Sequence, residues 1–201
     1  AEIELRRNRK GIKATAMTKL SVNLNKVALL RNTRDNGIPS LLHAAESVVK
    51  ARAHGITVHP RPDQRHIRTS DVYEISEFLK GRDVEYNIEG NPFPEFIEMV
   101  RRVRPHQCTL VPDSPEQSTS DHGWNIQQHG DHLKSVIKDC WSAGGQPSML
   151  VVGAGMKQKA SGFTGIATQY RENSGVKQAT ILAAAAVYVS DFGEFRIVPD
   201  R

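Results

Sequence analysis

The stretch GITVHPRPDQRHI, Gly55 to Ile67, decides how the rest of the chain is read. Ile56-Thr57-Val58 is a β-branched run and reads as a short buried strand. Pro60 and Pro62 then force an extended path. Along that path lie His59, Arg61, Arg65 and His66. A buried strand that runs straight into two imidazoles and two guanidiniums is costly unless an anion binds there. In parallel α/β sheets, ligands gather at the carboxyl ends of the strands. Arginine presents a planar fork suited to phosphate, and histidine exchanges protons near neutral pH. A solvated basic loop is the competing reading of the same spacing.

On the amino-terminal side, Leu20 to Leu24 alternates apolar and polar residues and reads as a first strand. Asn23, Asn25, Arg31 and Arg34 follow at its end, and Asp35-Asn36-Gly37 signals a turn. Leu41, Leu42, Ala45, Val48 and Val49 lie at helical spacing and predict a helix over 40–53 that Gly55 ends. On the carboxyl side, Ser70 or Asp71 is placed to cap a helix through Lys80, closed by Gly81. VEYNIE, Val84 to Glu89, reads as a third strand that delivers Glu89 at its end. Pro92 and Pro94 open a helix that runs to Arg104. Gln107 to Val111 reads as a fourth strand, followed by the loop PDSPEQSTSDHGW. Strand and helix alternate at about 25–35 residues per unit, which predicts parallel βα units in an α/β fold, half of an eight-unit barrel. Asn23, His59 with Arg61, Glu89 and Thr119 all fall at the same end of these units.

Past this point the vocabulary changes. Asp131 to Ala143 continues as a helix, Gly144-Gly145-Gln146-Pro147 breaks it, and Met149 to Val152 is a new strand. GAGMKQKASGFTGIATQY is rich in small residues, and residues 180–198 read as a β-hairpin turning at Asp191-Phe192-Gly193. The boundary is expected between about 130 and 142, giving a basic extension over 1–16, βα units over 17–138 and a strand-rich segment over 139–201.

Composition narrows the function classes. The chain has 201 residues, 38% hydrophobic and 24% charged, enough for one sizeable domain or two small ones. No run approaches the roughly 18 apolar residues of a membrane span, and the first 16 residues lack the apolar core of a secretory signal. Two cysteines, Cys108 and Cys140, provide neither a disulfide framework nor a zinc site and favour a reducing, cytoplasmic setting. A net charge of +5 suits anionic ligands but is too scattered to argue for nucleic acid. His43, His54, His106, His122, His129 and His132 read as surface or packing residues.

From Met17 to about Ile137 the chain resembles the pyridoxine 5'-phosphate synthase family. The motifs that carry the resemblance are SVNLNKVALLRNTR, GITVHPRPDQRHI, YNIEGNP, VRPHQCTLVPDS and TSDHGW. The resemblance implies a (β/α)8 barrel that forms homo-oligomers. It implies condensation of 1-deoxyxylulose 5-phosphate with 3-amino-2-oxopropyl phosphate, without a metal or organic cofactor. It implies that Asn23 and Arg34 hold the aminoketone phosphate, that Arg61, His66 and Thr119 hold the sugar phosphate, and that His59 and Glu89 are acid–base groups. Asn25 and Lys26 stand where many members of that family carry an Asp-His pair, so they join the substrate-binding set with a different chemistry. The second half of that family's barrel is not matched after residue 140, so little synthase activity is expected of this chain by itself.

The tail is similar to a different family. DCWSAGGQPSMLVVGAGMKQKASGFTG and VYVSDFGEFRIVPDR resemble part of a tailed-phage major capsid protein, where this region belongs to the shell-forming domain. That resemblance implies a structural subunit found in a virion. The alternatives to an enzyme are therefore a capsid-like subunit and a chimera of the two families. Phosphorylated small molecules are the partners expected of the first reading.

Overall fold

A computed structural model describes residues 18–114, 116–117, 122–142, 144–146, 149–152, 187–190 and 193–199. Residues 1–17, Thr119, the whole small-residue stretch 153–170 and the Asp191-Phe192 turn lie outside this set. The chain divides into two compact units, residues 1–120 and 121–201.

The first unit is built on a four-stranded parallel sheet: β1 (Ser21–Asn23), β2 (Gly55–Val58), β3 (Glu85–Gly90) and β4 (Gln107–Leu110), paired in that order. Ser21 pairs with Gly55, Gly55 with Glu85 and Asn87 with Gln107, all parallel. Helices α1 (Asn25–Asn32), α2 (Leu41–Lys50), α3 (Thr69–Leu79) and α4 (Pro94–Val103) connect the strands. This is the α/β alternation expected from the sequence. All four residues of β2 are buried, as a strand flanked by neighbours on both edges and covered by helices must be. Ile56, Val58, Ile67, Val72, Ile75 and Ile88 have no measurable exposure and form the core with Leu24, Ala28 and Ala45. Full burial of each such aliphatic side chain contributes about 1.5–3 kcal/mol.

Four local expectations change. First, α1 occupies the stretch read only as a strand end and its polar sequel. Its buried face is Leu24, Ala28 and Arg31, a helical i, i+4, i+7 stripe whose third seat holds an arginine. Second, α2 stops at Lys50, and the reversal is made by Arg52 at φ 58°. Gly55 instead begins β2, where a side chain would press on Ser21 and the Glu85 carbonyl. Third, α3 begins two to three residues earlier than a Ser70 or Asp71 cap would allow. Arg68 is its N-cap, and Asp71, inside the first turn, accepts the Arg68 backbone N–H at 2.7 Å. Ser40 caps α2 by accepting the His43 N–H, and Pro94 opens α4 as expected. Fourth, α5 (Ile126–Ser142) begins ahead of Asp131.

In the second unit, α5 is followed by β5 (Met149–Val152), β6 (Val187–Ser190) and β7 (Gly193–Pro199). β6 and β7 form the expected antiparallel hairpin. β5 pairs parallel to β7, so the sheet β5-β7-β6 is mixed rather than wholly antiparallel.

Candidate active site

The carboxyl ends of β1, β2 and β3 deliver Asn23, His59 and Glu89 to one end of the first sheet. Asn23, the last residue of β1, is exposed, and its Oδ1 accepts the Asn25 N–H at 2.8 Å. Asn25 in turn accepts the backbone N–H of His59 at 2.9 Å, fixing the start of the loop that leaves β2. Lys26 and Arg34 are exposed at the two ends of α1. Of the predicted site residues, the structure brings His59, Arg61, His66 and Glu89 together, with Asn25 bonded to the His59 backbone. Thr119 lies outside the described residues.

His59 and Arg61 are buried, at 6% and 4% exposure. What makes this tolerable is Asp113, in the loop after β4 and 2% exposed. Its Oδ2 accepts Arg61 Nη1 at 2.9 Å and lies 3.3 Å from His59 Nε2. Arg61 Nη2 donates to the carbonyls of Ser114 at 2.7 Å and Gln117 at 2.6 Å. The guanidinium is therefore turned inward and binds the β4 loop, while Arg61 Nε has no hydrogen-bond partner among the described residues. Anion binding at this arginine requires exchange with those internal acceptors.

The His66 ring lies 5.9 Å from the His59 ring, tilted by 52°. Its Nδ1 accepts the Ile67 N–H at 2.9 Å, which leaves Nε2 as the protonated nitrogen of the neutral ring. The segment is clamped from behind by α1. Asn32 Nδ2 donates to the His66 carbonyl at 2.8 Å and the Arg65 carbonyl at 3.1 Å. Arg31 reaches the same His66 carbonyl at 3.2 Å and pairs with Asp71 at 2.5 and 2.9 Å. The last two residues of α1, more than 30 positions away in sequence, thus hold the His66 backbone in place.

The titrations follow from burial. Burial pushes the His66 pKa down to about 4, with the His59 and Arg61 charges acting in the same direction. His59 is also lowered by burial, opposed by the Asp113 carboxylate and reinforced by Arg61. Glu89, half-buried, is raised by burial and then by the Asp113 charge. At neutral pH the site therefore holds neutral imidazoles beside a carboxyl that keeps its proton unusually long, the pairing that proton transfer at a carbonyl carbon needs. The cavity lined by Arg52, His54, Arg82 and Asp83 opens at the opposite end of the sheet, ahead of β2 and β3, and has no part in this arrangement.

Asp113 and Arg31 are the residues that sequence reasoning missed. Asp113 sits in a Pro- and Ser-rich loop with no periodicity, 52 residues from Arg61. Arg31 reads as one cation among several after β1. In neither case does local sequence identify the partner.

Parallel βα units that bring histidine, arginine and glutamate to the strand carboxyl ends define an α/β protein of the partial-barrel class. The profile of the family described as pyridoxal phosphate biosynthesis protein PdxJ matches residues 20–168, and the chain belongs to that family. The match continues past the 138 boundary expected from sequence. The chain is 48% identical over 141 residues to a pyridoxine 5'-phosphate synthase of Xylella fastidiosa (strain M23), covering 67% of this chain and 54% of that protein. It is 51% identical over 135 residues to the synthase of Bacteroides fragilis (strain YCH46), and 49% identical over 135 residues to that of Christiangramia forsetii, covering 56% of each. The chain thus spans about half the length of the curated relatives it matches. Among the described residues, no helix is long and apolar enough to cross a membrane.

Proposed function

We propose that the first unit is the substrate-binding and acid–base half of a pyridoxine 5'-phosphate synthase, acting on 1-deoxyxylulose 5-phosphate and 3-amino-2-oxopropyl phosphate. The observation that carries this reading is the convergence of His59, His66 and Glu89 at one sheet end in a chain of this family. Glu89, whose pKa burial raises, donates as water leaves the condensing carbonyl. His59, neutral, takes a proton as the imine forms. His66 and Arg61 serve the sugar phosphate with Thr119, and Asn23 and Arg34 the aminoketone phosphate. Asn25 holds the His59 backbone, and Lys26 supplies an exposed positive charge beside the entrance. The protein works in the cytoplasm as a homo-oligomer and needs no cofactor for this chemistry.

Calorimetric titration with 1-deoxyxylulose 5-phosphate tests the reading. We expect saturable binding that weakens at least tenfold in His66→Ala. We also expect any pyridoxine 5'-phosphate formed from the two substrates to vanish in Glu89→Gln. No heat and no thermal shift at millimolar ligand would overturn it. A shell-forming subunit is the second reading, supported by the resemblance of residues 139–201. Large particles in light scattering, indifferent to ligand, would favour it.

A further inference from the structure

We propose that Asp113 is a positioning residue of this site, holding His59 as the Nε2–H tautomer through Oδ2 and thereby leaving Nδ1 as the proton-accepting nitrogen. The inference rests on the acid–base reading of His59 given above and adds the residue that sets its polarity. Three features of geometry carry it. The carboxylate is almost wholly buried, so it is not an incidental surface ion. Its Oδ2 faces both His59 Nε2 at 3.3 Å and Arg61 Nη1 at 2.9 Å. Both its protein partners are themselves buried, so the pairing is held from each side.

A carboxylate only accepts hydrogen bonds, so the imidazole nitrogen that meets it must carry the proton. In the neutral ring that leaves the lone pair on Nδ1. When Nδ1 takes a proton, the imidazolium forms against a fixed negative charge, and the carboxylate stabilises it without moving. Arg61 has a complementary part. Its Nη1 anchors Asp113 Oδ2, and its Nη2 holds the loop through the Ser114 and Gln117 carbonyls. Asn91, just past β3, donates to the Asp113 carbonyl at 2.9 Å and ties the same residue's backbone to the strand that carries Glu89. The groups that bear on the His59 titration are Asp113 from the β4 loop and Arg61, Asp63 and His66 from its own segment. Glu89 from β3 interacts with Asp113 in turn.

Nitrogen-15 NMR of histidine-labelled protein, without ligand, reads the tautomer directly. We expect wild-type His59 in the Nε2–H form across the neutral range. A wild-type Nδ1–H form overturns the proposal without any variant. In Asp113→Asn, His59 should titrate at lower pH than in wild type, and the single-tautomer signature should be lost. Asp113→Glu should restore the wild-type tautomer. An unchanged His59 titration and tautomer in a folded Asp113→Asn protein would show that Asp113 serves Arg61 alone and would equally overturn the proposal. Because no ligand is added, failure here is separate from failure of 1-deoxyxylulose 5-phosphate to bind.

Discussion

The two histidines that follow β2 sit in a pocket that disfavours charge, and this has a measurable consequence. An unfolded histidine titrates near 6.5, whereas folded His66 is held at about 4. Between those values the unfolded chain binds a proton that the folded chain does not, so stability rises with pH through the window and is lost on acidification. We expect the melting temperature to fall between pH 7 and pH 5, and to fall less in His66→Gln, measured by thermal melts across that range. Glu89 acts with the opposite sign. Its raised pKa makes its contribution full at low pH and diminishing as pH rises through the folded value. Arg31 gives the second expectation at this scale. Replacing it with Met leaves Asp71, 4% exposed, without its guanidinium partner. Losing one partner of a buried pair costs about 3–5 kcal/mol, readable in urea denaturation. His59, Arg61, His66 and Glu89 were legible in the sequence because strand ends locate them. Asp113 and Arg31 were not, because a buried charge is recognised by its partner, and both partners are remote in sequence.

At the scale of elements, the junction of β3 and α4 sets the position of Glu89. Gly90, the next residue, lies against the Phe96 ring of α4, and a Cβ there would collide with the ring carbons. Phe96 is buried and part of the core, so it cannot turn outward freely. Gly90→Ala should therefore destabilise the first unit by about 1–3 kcal/mol, the usual cost of overpacking. Equilibrium unfolding measures it, and the same variant should displace Glu89 enough to weaken turnover or ligand response. The strands and three of the helices of this unit were readable because their apolar residues keep the right period. The helix α1 was not, because Leu29 and Leu30 are exposed, no side chain caps it, and the buried stripe ends in Arg31. An arginine reads as surface until Asp71 is seen beneath it. The α3 start was misjudged for a related reason. Asp71 accepts the Arg68 N–H from inside the first turn while also pairing with Arg31, so a residue that looks like a cap is engaged in tertiary contact.

At the scale of the whole molecule, two units of different character share one chain. The first is a parallel α/β arrangement, and the second carries a mixed sheet. The change in sheet type was visible in sequence as a change from periodic βα units to hairpin vocabulary. The parallel pairing of β5 with β7 was not, because nothing local distinguishes a parallel partner from an antiparallel one.

The order of strands in the first sheet has a further consequence, and it concerns time. Spatial order β1-β2-β3-β4 repeats chain order, so each strand finds its partner only one βα unit further along. Loop closure between such neighbours costs less entropy than closure between strands distant in sequence. On a ribosome, the edge of each finished strand is waiting when the next one emerges. Synthesis runs from β1 toward β4, and the Asp113 loop, which fastens Arg61 and faces His59, follows the four strands. The carboxylate that binds Arg61 and faces His59 is thus synthesised after all the strand ends that meet it.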